Sequence, residues 1–238
     1  MTSVISLGGS LIVPEQIGTT FIKEFIALIE ALLAADESRK FIIVTGGGST
    51  ARRYQEAFFE IDGVRPEAAG QKKAELNDCA DWIGIAATRL NAELIRQILR
   101  KHCSENVVYD PSEAFDFEGR VLVAAGWKPG FSSDNDAVIL ARKFGADTVI
   151  NLSNIEKIYT GDPKRDPSAK PLDSISWREF RAMVGDAWVP GANLPFDPIA
   201  SKLASESGIK VIFAAGHPIK NLENILLNKA FTGTTIGK

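Results

Sequence analysis

Two cysteines and two histidines in 238 residues leave this chain little material for disulfides or soft-metal centres. Cys79 and Cys103 make no disulfide framework and fit a reducing compartment. His102 beside Cys103 lacks ligand spacing and reads as packing at a helix end. No apolar stretch approaches membrane-spanning length, and the chain opens directly on a strand without a signal-peptide pattern, so the expected address is the cytoplasm. The formal charge of −3 gives no general attraction to nucleic acid or to an anionic membrane. No G-x-x-x-x-G-K-[ST] motif occurs, which excludes an ordinary P-loop NTPase. Repeats and low-complexity linkers are also missing. Residues 1–238 are therefore expected to form a single domain, long enough to bury a sizeable core.

What the chain does have is glycine placed after strands. Residues 41–52, Phe-Ile-Ile-Val-Thr-Gly-Gly-Gly-Ser-Thr-Ala-Arg, run from a buried strand through three glycines into a helix that Ser49 or Thr50 is expected to cap. Glycines without Cβ atoms let backbone N–H groups approach a ligand, and a helix N-terminus adds unpaired donors and partial positive charge. Arg52, one turn in, carries a guanidinium fork suited to phosphate oxygens. Gly8-Gly9-Ser10 repeats the device after the first strand, and two phosphate loops suggest two phosphates. Gly46-x-Gly48-x-x-Ala51 formally fits a dinucleotide fingerprint, but no acidic residue downstream is clearly placed for a ribose contact.

Apolar runs of strand length near 3–7, 40–45, 106–109, 120–125, 147–152 and 209–215 alternate with helical patterns near 19–35, 49–60, 82–102, 136–144, 176–184, 198–207 and 219–228. That alternation predicts an α/β fold with a mostly parallel central sheet covered by helices on both faces, a three-layer α/β/α sandwich with ligands at the strand carboxyl ends. The stretches 61–78 and 185–197 read as irregular. Asp81 is expected to open the helix 82–102, and Ser133 with Asp136 to form a capping box for the helix 136–144. Trp127, Lys128 and Phe131, in the loop before it, suit an aromatic base carrying a phosphate. After the strand 147–152, Asp162-Pro163 marks a turn and Tyr159 offers a ring to an adenine. Asp197-Pro198 starts a further helix with Lys202 one turn inside it.

These segments together resemble the amino acid kinase superfamily, most closely its archaeal-type uridylate (UMP) kinases. The resemblance spans nearly the whole chain. It rests on Gly8-Gly9-Ser10, Gly46-Gly47-Gly48 with Arg52, Asp81-Trp82-Ile83-Gly84-Ile85 followed by Thr88-Arg89-x-Asn91-Ala92, the 125–134 loop, Ser153-Asn154 with Tyr159 and Asp162-Pro163, Asp197-Pro198 with Lys202, and Gly233-Thr234-Thr235-Ile236. It implies that Gly9, Ser10, Gly48 and Arg52 hold ATP phosphates and that Ser153, Asn154, Tyr159 and Asp162 form the adenosine site. Gly47, Asp81 and the run Ala125, Gly126, Trp127, Lys128, Pro129, Gly130, Phe131 match the UMP site.

The implied reaction is ATP plus UMP giving ADP plus UDP, with Mg²⁺ accompanying ATP and no metal ligands assigned to the protein. A homo-oligomer, often a hexamer in relatives, is also implied. Ser6 stands where many members carry a lysine, and Lys202 is the candidate to replace that charge, so Arg52 and Lys202 are the expected catalytic cations. Ser132 and Ser133 stand where two threonines are usual, and Trp127-Lys128 is bulkier than the usual pair. A related enzyme acting on a small carboxylate or phosphate acceptor, and a non-catalytic nucleotide-binding protein, are the alternative readings.

Overall fold

The computed structural model describes residues 2–63, 71–163, 166–185 and 194–237. Its strands are β1 (Thr2–Leu7), β2 (Lys40–Thr45), β3 (Val121–Ala124), β4 (Thr148–Ser153), β5 (Ile158–Tyr159), β6 (Pro171–Leu172), β7 (Ser174–Ile175), β8 (Lys210–Ala215) and β9 (Thr234–Ile236). The helices are α1 (Gly9–Ile12), α2 (Thr19–Ala35), α3 (Gly48–Asp62), α4 (Gln71–Ile98), α5 (Ser133–Lys143), α6 (Trp177–Val184), α7 (Pro198–Glu206) and α8 (Ile219–Leu226). Among the described residues no helix is long and apolar enough to cross a membrane.

Seven strands form one sheet in the order β3-β2-β1-β4-β8-β9-β7, and β5 pairs with β6 in a separate hairpin. From β3 to β8 every pairing is parallel; β9 then runs antiparallel to β8. The carboxyl ends of β1, β2, β3, β4 and β8 therefore lie along one edge. The chain steps from β1 to β2 and β3 on one side, then returns to place β4 on the other. That reversal beside β1 is where ligands gather in open parallel sheets.

Strand parity sorts side chains into two cores. Ile5, Leu7, Phe41, Ile43, Val121 and Val123 face α1, α2, α4 and α8, while Val4, Ile42, Val44, Leu122, Val149 and Phe213 face α5, α6 and α7. The three-layer expectation is met. Ser6 shares the parity of Val4 and Thr45 that of Ile43, so these buried polar side chains leave opposite faces at the same edge.

Several local expectations need correction. α4 starts at Gln71, not near residue 82, because the polar segment Gln71-Lys-Lys-Ala-Glu-Leu consists of strong helix formers whose propensity, not periodicity, carries the helix. Asp81 consequently sits inside a helix and caps nothing. Of the stretch read as irregular, residues 61–62 end α3 and 71–78 belong to α4, while 64–70 lie outside the described residues, as does 186–193 of the second such stretch. Gly47, not Ser49 or Thr50, precedes α3 without a side-chain cap, and the Ser49 hydroxyl donates instead to Glu15 O at 3.2 Å.

Ser132 caps α5 by accepting from Asn135 N, one residue before the expected Ser133. The run 106–109 contributes a single bridge, Val108 to Ala124, before Pro111 and an Asp110–Ser112 turn lead it away from β3. The cap of α7 by Asp197, with Pro198 at its first position, is as expected.

Among the described glycines the closest approach joins the first two glycine loops. A Cβ on Gly9 would lie 2.1 Å from Gly48 N and 2.7 Å from Gly47 N, all backbone that cannot swing aside. Gly63, by contrast, ends α3 at φ 68°, and a Cβ there would meet nothing within 4 Å. Thermal unfolding of Gly9→Ala is expected to show a loss near the top of the overpacking range, about 3 kcal/mol. Gly63→Ala should lose only its left-handed backbone penalty, about 1–2 kcal/mol. Equal losses would remove the close approach as a constraint.

Candidate active site

Three glycine-bearing loops leave the carboxyl edge side by side. Gly8 N donates to Leu152 O at 2.9 Å, and Gly46 N to Leu7 O at 3.0 Å, so each loop is hydrogen-bonded to the neighbouring strand end. Helix α4 runs behind them. Thr45 Oγ1 donates to Thr88 O (3.0 Å), Asn91 Nδ2 donates to Gly46 O (2.8 Å) and Gly47 O (3.3 Å), and Gly126 N donates to Thr88 Oγ1 (2.8 Å). Asp81 Oδ2 accepts from Gly130 N at 3.0 Å. One helix thus holds the second and third loops through residues at positions 81, 88 and 91, a stripe along one face at helical spacing.

The 125–131 loop is also held from its other side. Trp127 N donates to Asp136 Oδ2 at 3.2 Å, Arg89 donates to Trp127 O at 3.2 Å, and the Trp127 indole reaches Asp110. Lys128 does not project as a free charge: its ammonium lies 3.7 Å from the Trp127 ring centroid and 5.0 Å from that of Phe131. The two rings are themselves 5.0 Å apart. Between this loop and α4 lies an open cleft of about 160 Å³ lined by Gly47, Asp81, Gly126 and Phe131 together with Gln55 and Thr88.

A second, larger cavity of about 340 Å³ opens beyond β4. Tyr159 and Asp162 line it with Ile155, Met183, Leu194 and Phe213, a largely apolar slot suited to a flat heterocycle. Ser153 and Asn154 sit at the end of β4, where Gly216 N donates to Ser153 O at 2.9 Å, and do not line that cavity. Arg52 and Lys202 are exposed, on α3 and α7, and line neither space.

Under the loops lies an acidic cluster in which Asp136 and Asp197 are buried and Asp134 is part-buried. Ser6 and Asn151 are register partners on β1 and β4, so their side chains leave the same face and both donate to Asp134 Oδ1, at 2.8 and 2.7 Å. The Asp197 backbone also bonds Asp134, and the Asp197 carboxylate accepts from Ser132 and from Ala200 N. Burial pushes Asp134 up to about 7 against these bonds, and burial pushes Asp136 up to about 8 against its bond from Trp127 N. Burial raises Asp197 and Asp81 as well, the latter opposed by Gly130 N. One oxygen each of Asp136 and Asp197 is buried without a partner. Among the described residues, no three or more His, Cys, Asp or Glu side chains could hold a metal ion.

Of the residues expected at the UMP site the cleft brings together Gly47, Asp81, Gly126 and Phe131, while Ala125, Trp127, Lys128, Pro129 and Gly130 do not line it; of those expected around the adenosine the larger cavity brings together Tyr159 and Asp162. Gln55, Asp134 and Asn151 were not singled out, and Ser6 entered only as the place of an absent lysine. Thr88 and Asn91 were visible only as motif letters, although their spacing from Asp81 marks one helix face.

Residues 1–215 match the model of the amino acid kinase family. A uridylate kinase of Methanospirillum hungatei is 34% identical over 99% of this chain and 94% of that protein. The uridylate kinase of Archaeoglobus fulgidus is 35% identical over 100% and 98% of the two chains. The crystal structure of the Archaeoglobus fulgidus uridylate kinase superposes with a TM-score of 0.78 at 33% identity, covering both chains fully.

The acid cluster predicts a pH dependence. Carboxyls whose folded pKa lies above the unfolded value of about 4 bind protons more tightly when folded, so stability is highest below that value and declines as pH rises toward 8. The ligand-free protein should melt at a lower temperature at pH 8.5 than at pH 6. Asp136→Asn keeps an oxygen for Trp127 N and should reduce that difference; a melting temperature that rises across this interval would contradict the burial argument.

Proposed function

The chain belongs to the amino acid kinase family, and from that membership we propose that it transfers the γ-phosphoryl group of ATP to UMP, giving ADP and UDP. The observation that carries this reading is the order of features along the carboxyl edge. The cleft of Gly47, Asp81 and Phe131 lies at the β2 and β3 ends, the larger slot at the β4 and β8 ends, and the contacting glycine loops of β1 and β2 between them. A nucleotide in each space would direct its phosphates to the same glycines. The 33–35% identity to uridylate kinases over essentially full length supports UMP as the acceptor. A carboxylate acceptor has no comparable support.

In this assignment Tyr159 and Asp162, with Ser153 and Asn154, take the adenosine. Gly9, Ser10 and Gly48 donate backbone N–H groups to the ATP phosphates, and the Arg52 fork spans them. Gly47 and the 125–131 loop take UMP, and Asp81 is the candidate acceptor for the ribose. The nucleophile is a UMP phosphate oxygen, anionic at neutral pH, so no general base is needed; alignment and charge stabilisation supply the rate. Mg²⁺ would accompany ATP and offset charge on its phosphates. Lys202 supplies the mobile cation absent at Ser6. Residues 1–238 act as one catalytic domain in the cytoplasm, and copies associate, as a hexamer, with exposed Tyr54, Ile61 and Leu90 on α3 and α4 as contact material.

The test is ADP release with a panel of nucleoside monophosphates, dUMP, and acidic metabolites as acceptors. Turnover on UMP above the rest is expected, with dUMP weaker through loss of the Asp81 contact. Turnover confined to a carboxylate, or ATP binding without turnover, would replace this reading. Arg52→Lys removes a charge-assisted hydrogen bond of about 1.5–3 kcal/mol, a roughly ten- to hundredfold fall in kcat, with the fold kept. Lys202→Ala should also lower kcat; an unchanged rate returns Lys202 to the surface.

A further inference from the structure

Asn91 is buried, 4% exposed, yet it belongs to neither nucleotide space. Its amide is spent on two successive carbonyls, Gly46 O at 2.8 Å and Gly47 O at 3.3 Å. In a trans peptide unit the C=O and the following N–H point in opposite directions. Holding Gly46 O toward α4 therefore turns the Gly47 N–H away from α4, and holding Gly47 O does the same for the Gly48 N–H. Among the described residues neither N–H has a protein acceptor.

Orientation here cannot come from side chains, since positions 46, 47 and 48 are all glycine and Gly48 sits at φ 66°. Consecutive glycines impose little torsional preference, so a peptide plane between them can rotate unless a partner fixes it. Ala51 N reaches Gly47 O at a long 3.4 Å, and the Gly46 carbonyl has Asn91 as its side-chain partner. The helix that carries Asn91 is itself tied to the β2 end by Thr45 Oγ1 on Thr88 O.

We propose that Asn91 is a positioning residue for phosphoryl transfer: by drawing the Gly46 and Gly47 carbonyls onto α4 it aims the Gly47 and Gly48 amides at the phosphates, while touching neither substrate. This rests on the assignment of the glycine loop to the phosphates. The amides then act as fixed dipoles that need no reorganisation as charge builds on the transferring group.

The test uses glycine-selective ¹⁵N labelling of the full chain with steady-state kinetics on the same proteins. In the parent, the Gly48 amide proton should move downfield on adding a non-hydrolysable ATP analogue, and that of Gly47 on adding UMP. Asn91→Leu keeps the volume and loses the donor. Both movements should shrink, and kcat should fall about a hundredfold, the scale for losing one preorganised donor, with the UMP KM far less affected. Asn91→Asp gives a sharper signature. A buried carboxyl facing two carbonyl oxygens is driven toward its protonated form, which donates again, so its kcat should recover as pH falls while the parent's does not.

Parent-like kcat and amide movements in Asn91→Leu overturn the inference. If that variant fails to fold, a pH profile of Asn91→Asp parallel to the parent's overturns it equally. A parent whose Gly48 amide responds to the ATP analogue but which does not phosphorylate UMP would instead sink the acceptor assignment alone.

Discussion

Everything at the carboxyl edge depends on two backbones touching. The Gly9 loop after β1 and the Gly46–Gly48 loop after β2 approach so closely that one methyl group on Gly9 would overlap the Gly48 nitrogen. Parallel pairing of β1 with β2 puts both strand ends at the same height, and their register, Leu7 against Thr45, makes the two glycine runs meet. The result is a surface of N–H groups without side chains. Such a surface stabilises anions only where the peptide planes are oriented, and that requirement passes outward to α4.

Helix α4 and the acid cluster hold the edge from opposite faces of the sheet. On one face Thr88, Asn91 and Asp81 bond the second and third loops; on the other, Ser6 and Asn151 bond Asp134, which joins β1 and β4 to α5 and the start of α7. Placing several carboxyls out of water is costly, and Asp134 and Asp136 meet that cost by holding their protons up to about 7 and about 8. At position 6 the cluster engages the serine hydroxyl, which donates to Asp134. It also fixes Asp197, hence the helix that presents Lys202.

The sheet, both helical layers and the glycine loops were legible because buried parallel strands are continuous apolar runs and glycine after a strand has a local cause. What was not legible falls into two kinds. Strands of two or three residues, β5, β6, β7 and β9, are too short for any period to register, and the first turns of α4 are polar and carry no apolar stripe. Asp81 was consequently read as a cap, when it is a mid-helix side chain holding Gly130. Contacts such as Ser6 with Asp134, 128 residues apart, depend on which strands become neighbours, and nothing local announces them. Asn91 sits between these kinds: its spacing from Asp81 was visible, but its partners were not.

If two nucleotides meet end to end over one glycine surface, as we propose, calorimetric binding of bisubstrate analogues will register it. Adenosine and uridine joined through a polyphosphate chain should bind far more tightly than either ATP or UMP, because the second site is then occupied at a high effective concentration. Affinity should peak at one chain length and fall when the chain is a phosphate too short. An analogue that binds no better than ATP at every length would mean that the two spaces do not share the cradle, and would contradict the claim outright.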